Sequence, residues 1–177
     1  MPRVFDSTGV LHLDKATVQT GIEVLAEALV VAPPDVVIGV ARGGTRLAHA
    51  LATRLRRPHV VVRASHNRSD AVRQQATGLV NLDVTAATEL DHGLRVLLCD
   101  DIYGTGATLA AVSAALDALI FPRQIQTVTL CRNEGATNHP DLWLWEVRHW
   151  VVFPWEPPPP ASQTHPLPPP YYVRRRP

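Results

Sequence analysis

The sequence has little of several features that mark special classes of protein. It contains only two cysteines, Cys99 and Cys131, each inside an apolar segment. That is too few, and too buried a pattern, for a disulfide framework or a zinc site, so both are expected to be core residues. The net charge of +1 lacks the basic excess that nucleic acid or an anionic membrane attracts. The charge therefore predicts no nucleic-acid or membrane partner and favours a small neutral or anionic ligand.

Long apolar runs and targeting segments are also missing. No stretch approaches the roughly 18 apolar residues that span a bilayer, and the first residues, MPRVFDSTGVLHLDK, show no basic segment followed by an apolar one. These absences give the expectation of a cytoplasmic protein. What is present is a chain of 177 residues, 46% hydrophobic and 19% charged, which suits one domain with a sizeable core.

Helical and strand-like segments alternate along most of the chain. Asp14 is placed to cap a first helix, and a later helix is predicted from about Ala107 to Leu119. Short, continuous apolar runs are typical of strands that are buried on both faces of a parallel sheet. Such runs occupy residues 35–41, 59–64, 94–100 and 124–131. The alternation predicts an α/β fold with a central parallel sheet flanked by helices.

Three segments fall outside this alternation. Residues 65–93 are polar and without periodicity, which is typical of a long mobile loop or a hairpin. Residues 142–153 are aromatic and β-branched, and they predict one further strand, or two short ones, near a sheet edge. Residues 157–177 contain nine of the sixteen prolines, so this tail is predicted to form no ladder and to be extended polyproline or disordered. The alternative for the tail is docking in an aromatic groove of a partner. The predicted domain is therefore 1–156.

The stretch VLLCDDIYGTGAT, residues 96–108, runs from an apolar strand through two acids into a glycine-containing turn before a helix. The turn consists of Tyr103, Gly104, Thr105, Gly106, Ala107 and Thr108. Its backbone N–H groups, the helix dipole and the threonine hydroxyls together make a phosphate cradle. No lysine follows the second glycine, so this is not a Walker loop. The G-x-G-x-x-G spacing of dinucleotide sites is also absent.

The two acids, Asp100 and Asp101, would repel a phosphate unless sugar hydroxyls or a divalent cation engage them. A phosphate on one side and a diol on the other indicate a ribose 5-phosphate. The alternative is an ordinary strand end, with acids facing solvent and glycines that only make a turn.

This stretch resembles the signature of the type I phosphoribosyltransferases, which have an apolar strand, two acids and a T-G-x-T loop that opens a helix. In that family the acids hold the ribose hydroxyls of phosphoribosyl pyrophosphate (PRPP), and the loop binds its 5-phosphate. The resemblance implies a Rossmann-like fold with a mobile loop and a small C-terminal base-binding hood. It also implies catalytic ribose contacts at Asp100 and Asp101, 5-phosphate contacts from Tyr103 to Thr108, and Mg²⁺ held at the two acids, mainly through ligand and water.

A second stretch, VVIGVARGGTRLAHALATRL (36–55), is similar to the pyrophosphate loop of the same family. Gly43 and Gly44 let backbone amides approach an anion, and Arg42 adds positive charge. Alone, this segment would indicate only a strand-to-helix turn with an exposed arginine. Two such turns in the order that the family has them favour pyrophosphate binding at Arg42, Gly43 and Gly44.

A third stretch, WVVFPWE (150–156), resembles the base-binding end of bacterial xanthine-guanine and hypoxanthine phosphoribosyltransferases. The match implies that Trp150 stacks on the base and that the backbone around Val151 and Val152 hydrogen-bonds it. The alternative for Trp150 is a core aromatic, which is also the prediction for the other tryptophans.

The sequence departs from the family at three points. Purine-salvage members carry an Asp just before the T-G, where this chain has Gly104. Either the proton of the base leaves through water or another side chain, or the base is not a 6-oxopurine. The family's lysine on the purine O6 has its nearest counterpart in Arg132. The Ser-Tyr pair that opens the family's lid loop appears here as Ser65 and His66. The alternative interpretation of His66 is an ordinary solvated histidine in a loop.

The resemblance implies transfer of the 5-phosphoribosyl group from PRPP to a heterocyclic base, a purine or purine analogue, with release of pyrophosphate. It further implies a homo-oligomer, a dimer or a tetramer. The other interpretation is a regulatory protein that binds PRPP without catalysis, for which Gly104 is the main argument.

Overall fold

A computed structural model describes residues 9–65, 80–157, 164–170 and 172–176. Its helices are α1 (Lys15–Leu29), α2 (Gly44–Leu55) and α3 (Ala107–Ile120), with a short 3₁₀ helix, η1 (Thr85–Ala87). The Asp14 side chain caps α1, as predicted, because its Oδ1 accepts the Thr17 N–H at 2.7 Å. None of the described helices is long and apolar enough to cross a membrane.

Eleven strands form the sheets of the described chain. They are β1 (Val10–His12), β2 (Val36–Ala41), β3 (His59–Ser65), β4 (Asn81–Asp83), β5 (Arg95–Tyr103), β6 (Gln124–Asn133), β7 (Leu142–Trp143), β8 (Trp145–Val147), β9 (Trp150–Val152), β10 (Thr164–Pro166) and β11 (Arg174–Arg175). The large sheet has the order β11-β7-β6-β5-β2-β3-β4, and β8 also pairs with β6. Only β4 and β11 run antiparallel to their neighbours. The predicted α/β fold is confirmed, with a sheet that is mostly rather than wholly parallel.

Buried side chains form two cores, one on each face of this sheet. The α1–α2 core includes Leu25, Leu51 and Leu97, and the α3 core includes Leu116 and Leu98. Residues 96–99 of β5 thus alternate between opposite cores, which is why this part of the strand is apolar without a break.

Both cysteines are free and fully buried in the α1–α2 core, so the prediction that they are core residues is confirmed. Burial raises the pKa of the Cys99 thiol, with a further contribution from Asp100. Burial likewise raises the pKa of the Cys131 thiol, and Asp101 adds to the effect. Thiols with raised pKa values are poor nucleophiles at neutral pH.

A small sheet with the order β10-β1-β9 accompanies the large one. Its strand β9 pairs with β1 from Val10 opposite Trp150 to His12 opposite Val152, and the Leu13 N–H donates to the Val152 carbonyl at 3.1 Å. The aromatic segment 142–153 therefore holds three short strands rather than one or two. Two of them, β7 and β8, extend the large sheet, whereas β9 belongs to the small one.

The prediction that the proline-rich tail forms no ladder is wrong. Strand β10 pairs in parallel with β1, and β11 pairs antiparallel with β7. Proline is tolerated there because β10 is an edge strand and its one proline, Pro166, stands at its end. The division into a domain of 1–156 and a tail of 157–177 stays a prediction.

Candidate active site

The ends of β2 and β5 meet at one edge of the large sheet, because the two strands are parallel neighbours. The turn after β2 carries Gly43 and Gly44, and the end of β5 carries the two acids. A Cβ atom on Gly43 would overlap the Asp101 carboxylate. A Cβ atom on Gly44 would overlap the Cys99 carbonyl oxygen and lie 2.7 Å from the Asp100 Cα. The structure therefore brings two of the predicted segments into direct contact.

The alternation of β5 reverses at the two acids. Cys99 packs in the α1–α2 core, and strict alternation would send residue 103 to the same side. Instead Ile102 packs on the α1–α2 core, and Tyr103 enters the α3 core. At the reversal the Asp101 N–H donates to Asp100 Oδ1 at 3.0 Å. Both carboxylates thus leave the strand where its faces exchange, which lets Asp101 lie over the turn after β2.

The predicted phosphate cradle forms a turn between β5 and α3. Gly106 has a φ of +85°, in the left-handed region, and a Cβ there would overlap the Tyr103 hydroxyl. The Tyr103 ring is buried, and burial raises the pKa of its hydroxyl. Gly106 begins α3 without a side-chain cap, so the first-turn amides are placed as in helix-terminus anion sites. Gly104 is buried, and no carboxylate stands at its position.

The predicted pyrophosphate turn also joins a strand, β2, to the start of a helix, α2. Arg42 is exposed, and the Ala41–Arg42 peptide bond is cis. Gly43 precedes α2 without a side-chain cap. Two uncapped helix N-termini, those of α2 and α3, therefore flank the pair of acids, and each contributes partial positive charge.

The residues predicted to bind a base lie in β9. Val151 and Val152 are buried, and Trp150 is partly buried. Val151 packs in the α1–α2 core together with Cys131 from the end of β6 and Leu47 from the start of α2. The Arg46 guanidinium carbon, in the first turn of α2, lies 6.0 Å from the Trp155 ring centroid, so the segment after β9 reaches the end of the sheet where the acids lie. Base stacking by Trp150 stays a prediction.

Arg132, predicted to contact the base, is buried and makes several contacts within the protein. Its Nη1 lies 2.9 Å from Glu146 Oε2, its Nε donates to the Asn138 carbonyl at 3.1 Å, and its Nη2 donates to the Ala136 carbonyl at 2.6 Å. Glu146 Oε1 also accepts the Trp143 indole N–H at 2.9 Å. Arg132 thus organises the turn after β6, and its contact with a base stays a prediction.

Sequence reasoning missed Glu146 as the partner of Arg132. The available signal was a single acid within the aromatic stretch LWLWEV, because a carboxylate in a strand buried on both sides requires a cation or several donors. Of the predicted lid residues, Ser65 ends β3, whereas His66 lies outside the described residues.

A divalent cation fits the acid pair. The described residues hold no cluster of three or more His, Cys, Asp or Glu side chains that would form an all-protein metal site. Mg²⁺ commonly binds through one or two carboxylates together with substrate oxygens and water. Asp100 and Asp101 supply such a donor set, with uncapped helix N-termini on both sides for the anionic groups of a substrate.

Comparisons with known proteins agree with this geometry. The family described as "Phosphoribosyl transferase domain" matches residues 18–162. The structure resembles a purine phosphoribosyltransferase from Pyrococcus horikoshii Ot3, with 29% identity over 87% of this chain and 99% of that chain and a TM-score of 0.73. It shares the fold of a hypothetical protein from Neisseria gonorrhoeae with bound ppGpp, at 20% identity over 86% of this chain and 92% of that one, with a TM-score of 0.67.

It also shares the fold of the xanthine-guanine-hypoxanthine phosphoribosyltransferase of Helicobacter pylori, at 18% identity over 82% of this chain and 91% of that one, with a TM-score of 0.66. No curated protein matches the chain significantly. Since the family match covers most of the sequence, the chain belongs to the phosphoribosyl transferase domain family.

Proposed function

We propose that the protein transfers the 5-phosphoribosyl group from PRPP to a nitrogenous base, a purine or purine analogue, and releases pyrophosphate. The observation that carries this proposal is the contact between the turn after β2 and the acids of β5, where a Cβ atom on Gly43 would overlap the Asp101 carboxylate. That contact sets two acids between two uncapped helix N-termini. An acid pair flanked by two anion sites matches one ligand with a phosphate at each end and hydroxyls between them.

The proposed roles follow the parts of that ligand. Asp100 and Asp101 accept hydrogen bonds from the ribose hydroxyls, the turn 103–108 binds the 5-phosphate, and the turn 42–44 binds the pyrophosphate. In the reaction the bond from C1 to the pyrophosphate oxygen breaks and a bond from C1 to a ring nitrogen forms. The transition state has oxocarbenium character, so positioning and charge stabilisation do most of the catalytic work.

Mg²⁺, when bound, neutralises charge on the pyrophosphate leaving group. Asp100 and Asp101 would hold it, mainly through ligand and water. The proton that the base loses goes to water or to another side chain, because Gly104 leaves the turn without a carboxylate. Absence of a general base typically costs about 10²–10⁴-fold in rate, which slows an enzyme without abolishing its activity.

Gly104 also favours a second candidate function, a regulatory protein that binds PRPP and does not transfer it. The similar fold from Neisseria gonorrhoeae was solved with bound ppGpp, which adds a guanine nucleotide to the ligands worth testing. Release of pyrophosphate measured across purines, 7-deazapurines and pyrimidines separates the two functions. Saturable PRPP binding without release for any base would favour the regulatory protein.

The variant Asp100→Asn/Asp101→Asn tests the proposed site. We expect nearly complete loss of phosphoribosyl transfer with an unchanged circular-dichroism spectrum, because amides bind ribose hydroxyls and Mg²⁺ less well than carboxylates do. Asp91→Asn, an exposed acid that precedes the start of β5, at the opposite end of that strand from the acid pair, is the matched control and should retain full activity. Turnover like that of the wild type in the double variant would contradict the assignment.

A further inference from the structure

A cavity lies apart from the residues assigned to PRPP or the base. It has a volume of about 280 Å³ and opens between the first turns of α1 and α2, where the segment after β9 passes over them. Apolar side chains form most of its wall, namely Val18, Ile22, Leu47, Pro154 and Trp155. The polar lining consists of Lys15, Gln19 and Arg46.

The charge of this cavity is of one sign. Among the residues that the structure describes, Lys15 and Arg46 are the only charged residues in its lining, and no carboxylate lines it. Both side chains are exposed, and neither makes a salt bridge with an acid among the described residues. Two cations beside an apolar wall, without a counter-charge, favour a ligand that brings a negative charge of its own.

Trp155 provides a flat wall for a planar group. Its ring stacks on Phe153, with centroids 5.0 Å apart and an angle of 7° between the planes. The Arg46 guanidinium carbon lies 6.0 Å from the Trp155 ring centroid, so one cation is held beside the aromatic surface. The Trp155 indole N–H is buried and has no hydrogen-bond partner within the described chain, so no such bond fixes the ring.

We propose that this cavity is a second binding site, for a small planar aromatic ring that carries one phosphate or carboxylate group. The ring would pack against Trp155 and Pro154, and its anionic group would pair with Arg46 and Lys15. A volume of about 280 Å³ suits a ligand of this size rather than a larger one.

The cavity lies next to two of the predicted subsites. Arg46 stands in the first turn of α2, directly after the turn 42–44, and Pro154 follows the strand that carries Trp150. A ligand that pulls Arg46 towards it therefore acts on the start of α2. This coupling, unlike the binding itself, rests on the proposed function, and it predicts that the occupied cavity alters the affinity for PRPP.

Binding is tested on the full chain with three probes, naphthyl phosphate, naphthoate and uncharged naphthol. The readout is the proton–nitrogen spectrum of the four tryptophan indoles, in which Trp155→Phe identifies the Trp155 signal. We expect saturable shifts of that signal with the two anions and none with naphthol. The preferred anion shows whether phosphates or carboxylates are the physiological class.

Arg46→Gln and Lys15→Gln should each weaken binding of the preferred anion about tenfold, because each removes one charge-assisted contact. Arg54→Gln is the matched control, since Arg54 is an exposed arginine on the same helix that does not line the cavity. Equal binding of naphthol, no saturable shift, or no effect of Arg46→Gln would overturn the proposal.

The variant Asp100→Asn/Asp101→Asn tests whether the probes bind in the cavity or at the acids of the proposed PRPP site. We expect it to lose PRPP binding while naphthyl phosphate or naphthoate still shifts the Trp155 signal. Loss of probe binding in that variant would place the probe in the PRPP site and refute a second site. If PRPP binds neither the wild type nor the variant, the proposed function fails while the cavity result still stands.

Discussion

Each glycine of the turn after β2 faces a different part of β5. Gly43 faces the carboxylate of Asp101, which is the end of a side chain, whereas Gly44 faces the backbone of Cys99 and Asp100. A side chain can turn away from an added methyl group, but a strand in the middle of a sheet cannot move without breaking its ladder. Gly43 therefore leaves room for a side chain of the candidate site, whereas Gly44 allows the close packing of α2 against β5.

Gly43→Ala and Gly44→Ala should separate these roles. We expect Gly43→Ala to keep a Tm near that of the wild type and to bind PRPP weakly, because Asp101 must leave its position. Gly44→Ala should lower the free energy of unfolding by about 1–3 kcal/mol, as is typical of overpacking. Thermal unfolding and calorimetric titration with PRPP provide the two measurements. Equal losses of stability in the two variants would contradict the distinction.

Single residues also differ in how far their contacts can be predicted from the sequence. The two acids and the glycines of both turns stand in short contiguous motifs, and the structure brings Gly43 and Gly44 against the end of β5 that carries the acids. Arg132 gave no such clue, because its partners, Glu146 and the carbonyls of Ala136 and Asn138, come from the turn and strand that follow β6. A pairing across strands depends on the register, which a local motif does not contain.

At the scale of elements, the two acids of the candidate site lie where the two faces of β5 exchange sides. The periodicity of β5 correctly predicts a strand buried on both faces, yet its faces exchange between Cys99 and Ile102. The sequence pattern cannot reveal this exchange, because both faces of the sheet pack against apolar cores and an apolar residue therefore fits on either face.

The starts of β2 and β5 are joined by an ion pair that makes stability depend on pH. Asp35 accepts the Arg95 backbone N–H at 2.8 Å, and its Oδ1 lies 3.0 Å from Arg95 Nη2. These hydrogen bonds lower the pKa of Asp35 from 3.8 to about 2. Because the pKa of Asp35 is lower in the folded state than in the unfolded state, the ionised carboxylate stabilises the fold at pH values above 3.8. That contribution is lost as the pH falls from 3.8 towards about 2.

Asp35→Asn should therefore lower the Tm at neutral pH, and the difference from the wild type should shrink as the pH falls from 3.8 towards about 2. Thermal unfolding in a series of buffers measures this difference. Arg95→Lys is the control, since it keeps the charge and loses the forked geometry, and it should retain part of the pH dependence. A Tm difference that is independent of pH would show that the ion pair does not stabilise the fold.

At the scale of the whole molecule, the described residues of the tail, 164–170 and 172–176, contact both sheets. Beyond the ladders of β10 and β11, the Trp145 indole N–H donates to the Pro168 carbonyl at 2.9 Å, and Arg176 pairs with Asp141 at 3.2 Å. Leu167 packs against the α1–α2 core. Strand β10 covers one edge of β1, whose other neighbour, β9, carries the residues predicted to bind the base.

Deletion of residues 157–177 should lower the free energy of unfolding by roughly 2–4 kcal/mol, because buried apolar contacts and a buried hydrogen bond are lost together. Chemical denaturation measures the loss. Trp145→Phe removes the hydrogen bond to Pro168 together with part of a buried core ring, so it should cost more than the roughly 1 kcal/mol of a hydrogen bond alone. A truncated chain as stable as the full one would mean that the tail contacts contribute nothing.

The sequence by itself determined the α/β class, the order of the helices and most strands, and the two glycine-containing turns that lead into α2 and α3. All of these arise from periodicity or from motifs within a few consecutive residues. Only the tertiary structure decided that Asp101 lies over Gly43, that Arg132 is bound within the protein, and that the tail joins both sheets. The physical reason is that each of these depends on contacts between residues far apart along the chain, whose positions are set by strand register and core packing rather than by local preference.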